Sequence, residues 1–367
     1  DWIVWQLTGH ERRSICCAGY KGMWSKREGY PSEDFFAALD PRLRHVVDQK
    51  LSRTLYPLAS CAGGLRPEIA GVMGLRPGIA VSVGIIDAHA SVPAATVVEP
   101  GRMVIIMGTS NCHMVLADKE QFVEGVAGVV EDGIIPGYFG YEAGQAAVGD
   151  IFGWFVKHGV PPAYHEDARR RGISVHKVLE ERAARQRPGE HGLLALDWWN
   201  GSRSVLMDAD LSGLIVGMTL HTRPEDIYRA LLEATAFGTR LIIETFEQAG
   251  IRVEEIIACG GLPERNPLLM QIYADVTGRE LRVAASAQAS ALGAAMHAAV
   301  AAGAYATLAE AARHMAHLQE RVYRPVPAHT HVYDRLFAEY VRVHDHFGRG
   351  AHELMHRLKR LRGEVSG

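Results

Sequence analysis

A chain of 367 residues with 39 Lys+Arg against 42 Asp+Glu, 48% hydrophobic and 22% charged, reads as an ordinary globular protein with room for two domains or one large one. The near balance of charge leaves no basic excess for general nucleic-acid or membrane-surface binding, and no apolar run approaches the roughly 20 residues that span a bilayer. Cys16, Cys17, Cys61, Cys112 and Cys259 are odd in number and scattered, which argues against a disulfide framework or a Cys-x-x-Cys metal site and fits a reducing cytoplasm.

The chain opens Asp1-Trp2-Ile3-Val4-Trp5, with no signal-peptide form, and reads like the middle of a folded domain. Ser32-Glu33-Asp34 introduces a helix over 35–39, and Asp40-Pro41 a second short one. The Gly/Pro-punctuated stretch 61–78 is the best domain boundary. Buried-strand runs follow at 81–86 and 103–107, and a third at 112–116 comes so soon after that a hairpin is expected. A long amphipathic helix is expected from Pro224 to Gly250. After it come strand 255–259, helix 266–277, strand 280–285 and the small-residue helix 289–302. Thr307 with Glu310 makes a capping box for a further helix, and 329–361 reads as one or two terminal helices. This order predicts an α/β or α+β domain built on a core sheet.

Several motifs carry chemistry. Asp87 stands where an apolar strand run stops, as a general base facing a cleft or as the N-cap of the next helix; spacing alone favours the cap. Gly108-Thr109-Ser110 lies in a tight turn between two strands, suited to a phosphate cradle or to an ordinary hairpin. Cys259-Gly260-Gly261 through Arg265-Asn266 follows a strand and opens a helix, where a flat ligand can lie on the glycine backbone. It matches neither GxGxxG nor a P-loop. Glu142, in Gly140-Tyr141-Glu142-Ala143-Gly144-Gln145, is part of a polyol-binding wall or of a Gly-rich turn leading into the helix that follows Gly149. His352-Glu353-Leu354-Met355-His356 is a literal zincin pattern. No His follows it, so a chance match on a solvated helix face is the better reading, and no metal ligand is assigned.

Taken in order, these pieces resemble the FGGY carbohydrate kinase family, in its ribulokinase branch, over about residues 1–345. The carriers are Asp1-Trp2-Ile3 with Leu7-Thr8-Gly9, Ala18-Gly19-Tyr20-Lys21 with Trp24, Asp87-Ala88-His89-Ala90-Ser91-Val92-Pro93, and Met107-Gly108-Thr109-Ser110 with Cys112-His113-Met114. The resemblance implies the α/β, ribonuclease-H-like two-domain fold of the actin, hexokinase and sugar-kinase superfamily. It divides the chain into the end of an N-terminal domain over 1–78, a C-terminal domain over 79–328 and a helical extension over 329–367.

The implied activity is transfer of the γ-phosphoryl group of ATP, as its Mg²⁺ complex, to L-ribulose in L-arabinose catabolism. Asp87 would be the base, with Lys21, Asp87 and Glu142 on the sugar. Gly108, Thr109, Ser110, Gly149, Gly261, Arg265 and Asn266 would surround the nucleotide. Another sugar or polyol kinase of the family (for D-ribulose or xylulose), or a non-catalytic sugar- or nucleotide-binding member, is the alternative. Neither nucleic acid nor membrane is an expected partner, while the terminal helices are read as a solvated face or a homodimer surface. The family's first strand, with its Asp-x-Gly-Thr phosphate loop, has no counterpart here. The expectation is therefore that this chain by itself is inactive and exposes apolar edges before residue 78.

Overall fold

The run Met103-Val104-Ile105-Ile106-Met107 sends alternate side chains to opposite faces of a sheet. Met103, Ile105 and Met107 enter one buried cluster and Val104 another. A computed structural model of the chain describes residues 1–126, 128–350 and 353–366.

In chain order, the elements that build the site begin with helices α1 (Trp2–Thr8) and α2 (Ile15–Gly22), strands β1 (Cys61–Gly64) and β2 (Ala80–Ser82), and helix α3 (Asp87–Ala94). Strands β3 (Gly101–Met107), β4 (Asn111–Ala117), β5 (Gly128–Glu131) and β6 (Phe139–Gln145) then precede helices α4 (Gly149–His158) and α5 (Pro224–Gln248). The chain continues through β7 (Val253–Cys259), α6 (Pro267–Thr277), β8 (Leu281–Ala284), α7 (Ala289–Ala301), α8 (Leu308–Met315), β9 (Leu318–Tyr323), α9 (Pro327–Gly348) and α10 (Leu354–Ser366).

Seven strands form one sheet in the order β9-β8-β7-β3-β4-β6-β5. The β8, β7 and β3 strands are parallel, as crossover helices require. The remaining pairs are antiparallel, and β3 and β4 close a hairpin with Met107 opposite Asn111. One face packs against α4, α5, α6 and α9, and the other against α3, α7 and α8. No helix among the described residues is long and apolar enough to cross a membrane.

Most expected elements are present, and α5 starts with Pro224 in its first turn as read. Three readings are corrected. The strand expected over 81–86 is only Ala80–Ser82, because Ser82 already pairs with Cys61, the first residue of its partner strand. The stretch from Gly140 to Gln145 is no turn but the body of β6, paired with β4 throughout and with β5 as far as Glu142. The terminal helices are not simply a solvated face, since Tyr333, Phe337, Tyr340 and His344 of α9 are buried.

Candidate active site

Glu142 lies midway along β6, opposite Met114 of β4 and Gly128 of β5. Its side chain is only 8% exposed. One carboxylate oxygen meets His89 Nε2 at 2.9 Å, and the other accepts from the Arg203 guanidinium. Burial opposes its charge, yet the His89 hydrogen bond and the neighbouring Arg203 and Lys21 hold the carboxyl down to about 2. Glu142 is therefore a fixed anion ringed by donors.

Arg203 reaches this position because the loop that carries it is stitched onto β6. Gly144 N–H donates to Ser204 Oγ at 3.1 Å and Ser204 N–H to Gly144 O at 3.0 Å. Gly144 leaves the space, since a Cβ there would lie 2.7 Å from Arg203 Nη1.

Asp87 is the first residue of α3, with Ile86 in the cap position and no side-chain capping bond. This corrects the N-cap reading. Its carboxylate is exposed, with no partner among the described residues. Two residues on, His89 is fully buried and joins α3 to Glu142. Lys21 sits in the last turn of α2, exposed and close enough to Glu142 to favour its charge. Lys21, Asp87 and Glu142 thus come from three elements that meet around one histidine.

The Gly108-Thr109-Ser110 turn closes the β3–β4 hairpin and is stitched to the start of α4. Val148 and Asp150 N–H groups donate to Thr109 O at 2.8 and 3.3 Å, and Gly149 N–H to Gly108 O at 3.1 Å. A Cβ on Gly149 would lie 2.5 Å from Gly108 O, so only glycine lets the helix start this close to the turn. The backbone before Gly261 crosses the same place: Gly260, at φ 99°, would put a Cβ 2.4 Å from Met107 O. Gly261 itself faces open space, and Arg265 is exposed. The Asn266 side chain is buried and caps α6, accepting from Leu269 N–H at 2.9 Å.

A polar network under the sheet braces this end. Asn111, next to the turn, donates to Gln145 Oε1 and Tyr273 OH, both at 3.1 Å. Gln145 donates to Asp197 Oδ2 at 2.7 Å, and Tyr340 of α9 donates to the other Asp197 oxygen at 3.1 Å. Asn111 faces Gln145, and Glu142 lies three residues back along the same strand, about 10 Å away. One strand therefore runs from the 108–110 turn to the Glu142 carboxylate.

The sequence reading missed His89 and Arg203 as parts of this site. His89 stood inside a quoted motif, but nothing in its neighbours showed that it was buried. Arg203 lies in a stretch with no signal at all. Of the zincin pattern, His352 lies outside the described residues, while His356 meets Asp208 at 2.8 Å and Glu353 pairs with Arg360 at 3.0 Å.

The sequence model for the C-terminal domain of the FGGY family of carbohydrate kinases matches residues 103–302. The chain is 60% identical over 366 residues to a ribulokinase of Halalkalibacterium halodurans, covering 99% of this chain and 65% of that protein. It is 50% identical over 366 residues to a ribulokinase of Mycolicibacterium smegmatis, covering 100% of this chain and 64% of that protein. The chain thus spans somewhat less than two thirds of the curated relatives it matches. Among solved structures, the xylulose kinase of Rhodospirillum rubrum superposes with a TM-score of 0.76 at 24% identity, over 94% of this chain and 66% of that one. A ligand-bound xylulose kinase of Lactobacillus acidophilus gives 0.79 at 17% identity, again over 94% and 66%. These likenesses establish the α/β sugar-kinase fold. With the family model spanning more than half of its residues, the chain belongs to the FGGY family of carbohydrate kinases.

Proposed function

We propose that the chain carries the site for ATP-dependent phosphorylation of L-ribulose to L-ribulose 5-phosphate. The supporting observation is the pairing of a buried, fully ionised Glu142 with an exposed, unpartnered Asp87 around one histidine. A polyol needs both kinds of group: a fixed acceptor to orient its hydroxyls and a free carboxylate to take a proton. The identity to ribulokinases favours ribulose over other polyols.

In this reading Glu142 accepts from sugar hydroxyls and Lys21 donates to a sugar oxygen. Asp87 takes the proton of the terminal hydroxyl as that oxygen bonds to the γ-phosphorus and ADP departs. The transition state is loose, so positioning and charge neutralisation do most of the work. The turn at Gly108, Thr109 and Ser110 offers backbone N–H groups to the phosphates, and Gly149 and Gly261 allow close approach of the nucleotide. Arg265 adds a positive charge at the rim, and Asn266 shapes the nucleotide side through the helix it caps.

Among the described residues no three His, Cys, Asp or Glu side chains converge on a possible metal position. A Mg²⁺ would arrive on the nucleotide phosphates, with the exposed carboxylate of Asp87 available to it. When bound, such an ion neutralises charge on the β- and γ-phosphates.

The test is an ADP-release assay on the protein expressed from its complete reading frame, with L-ribulose, D-ribulose, D-xylulose and glycerol offered in turn. The expected result is the highest kcat/KM for L-ribulose. Preference for another of these would replace the proposed substrate, and no turnover with any would refute the kinase reading.

A further inference from the structure

We propose that His89 is the positioning residue of the sugar site, the single side chain that holds Lys21, Asp87 and Glu142 in mutual register. The inference rests on the sugar-site reading above and adds to it a group that does not itself touch the sugar.

His89 is 0% exposed and uses its whole ring. Nε2 meets Glu142 Oε2 at 2.9 Å, and Nδ1 meets Cys16 Sγ at 3.2 Å. The Tyr20 ring packs against it at a 58° tilt, with centroids 4.2 Å apart. Tyr20 OH in turn donates to Gly140 O at 2.6 Å, two residues before Glu142 on β6. Cys16 and Tyr20 lie on α2 with Lys21, and His89 lies on α3 with Asp87. All three proposed sugar residues are therefore within two residues of a group that touches the imidazole or, for Glu142, touch it directly.

The proton placement follows from the partners. An ionised Glu142 can only accept, so Nε2 carries hydrogen toward it. Burial pushes the Cys16 thiol well above its ordinary value and keeps its proton, which makes it a donor available to Nδ1 3.2 Å away. This tautomer is assigned from the network, and it leaves no atom of the ring unsatisfied. The opposite tautomer would set a lone pair against a carboxylate. Arg203 holds the second Glu142 oxygen from the exposed side, with 41% of its side chain accessible. Of the two donors, the buried His89 is thus the fixed reference for the carboxylate.

The decisive experiment measures KM for L-ribulose, KM for ATP and kcat in the protein expressed from its complete reading frame. The series is His89→Asn, His89→Gln, Cys16→Ala and Cys16→Ser, with thermal unfolding followed for each. Asn is too short to reach Glu142, whereas Gln places an N–H₂ near the Nε2 position. Loss of a hydrogen bond to a charged group predicts a rise of about tenfold or more in sugar KM for His89→Asn, largely recovered in His89→Gln, with ATP KM changed less than about twofold. Cys16→Ala should raise sugar KM by about threefold and Cys16→Ser should restore it; this pair decides the matter if His89→Asn does not fold. Unchanged sugar KM in the folded variants, or sugar and ATP parameters worsening together, would overturn the inference while leaving the ribulose reading intact. A wild-type protein that phosphorylates no sugar would overturn both.

Discussion

His113 on β4 is wholly buried, with Nε2 at 3.0 Å from Thr239 Oγ1 and Nδ1 without a partner among the described residues. Burial, helped by the charge of Arg203, pushes its imidazole down to about 3. The folded protein thus refuses a proton that the unfolded chain binds below about pH 6.5, and stability is lost as pH falls toward 3. Asp197 acts in the opposite sense. Burial outweighs its hydrogen bonds and raises its carboxyl to about 6, so its contribution is lost as pH rises from about 4 to 6. Over that window the two slopes offset each other in the wild type. Replacing His113 by Gln separates them: the stability difference between variant and wild type should shift in favour of the variant by about 1.4 kcal/mol per pH unit on acidification from 6 to 4. Urea unfolding at pH 6, 5 and 4 measures this, and a pH-independent difference would show that His113 does not enter folding as the neutral form.

At the scale of elements, placement of the site depends on how closely α7 packs on α3. Gly293 makes this possible, since a Cβ there would lie 1.7 Å from Ala90 O. The Gly293→Ala variant must push the two helices apart, and α3 carries both Asp87 and His89. Overpacking of this kind predicts a loss of about 2–3 kcal/mol, readable by chemical denaturation, together with a raised sugar KM. Stability equal to wild type would mean that the pair is looser than described. The same scale shows what could be read from the chain alone. The hairpin of β3 and β4, and α5 with Pro224 at its start, follow from local pattern and turn chemistry. The β6 strand did not, because Gly140, Ala143 and Gly144 imitate a turn. Their small size serves close approach: a Cβ on Gly140 would lie 2.7 Å from Tyr20 OH, and Gly144 admits Arg203. Such tertiary requirements leave no periodic signal. Asp87, Lys21 and Glu142 were singled out from motifs, but the Arg203 loop and the buried His89 come from contacts distant in the chain, which spacing does not encode.

For the molecule as a whole, two apolar layers flank one sheet, and the 108–110 turn and the Glu142 carboxylate occupy positions along neighbouring strands of it. The aromatic side of α9 closes one layer: Tyr340 reaches Asp197, which reaches Gln145 beside the 108–110 turn. Helix α1 presents Trp2, Ile3 and Trp5 to solvent. The balanced composition hides this division of labour, in which a buried core carries a small set of polar groups at one end. Central to the account is that Asp87, without a partner among the described residues, accepts the proton of the sugar hydroxyl. The most direct test compares the kinetics of wild type and Asp87→Asn with L-ribulose and ATP in the protein expressed from its complete reading frame. The account predicts that kcat falls about 100-fold or more while KM for ATP stays within about threefold; a variant with kcat within about threefold of wild type would contradict it.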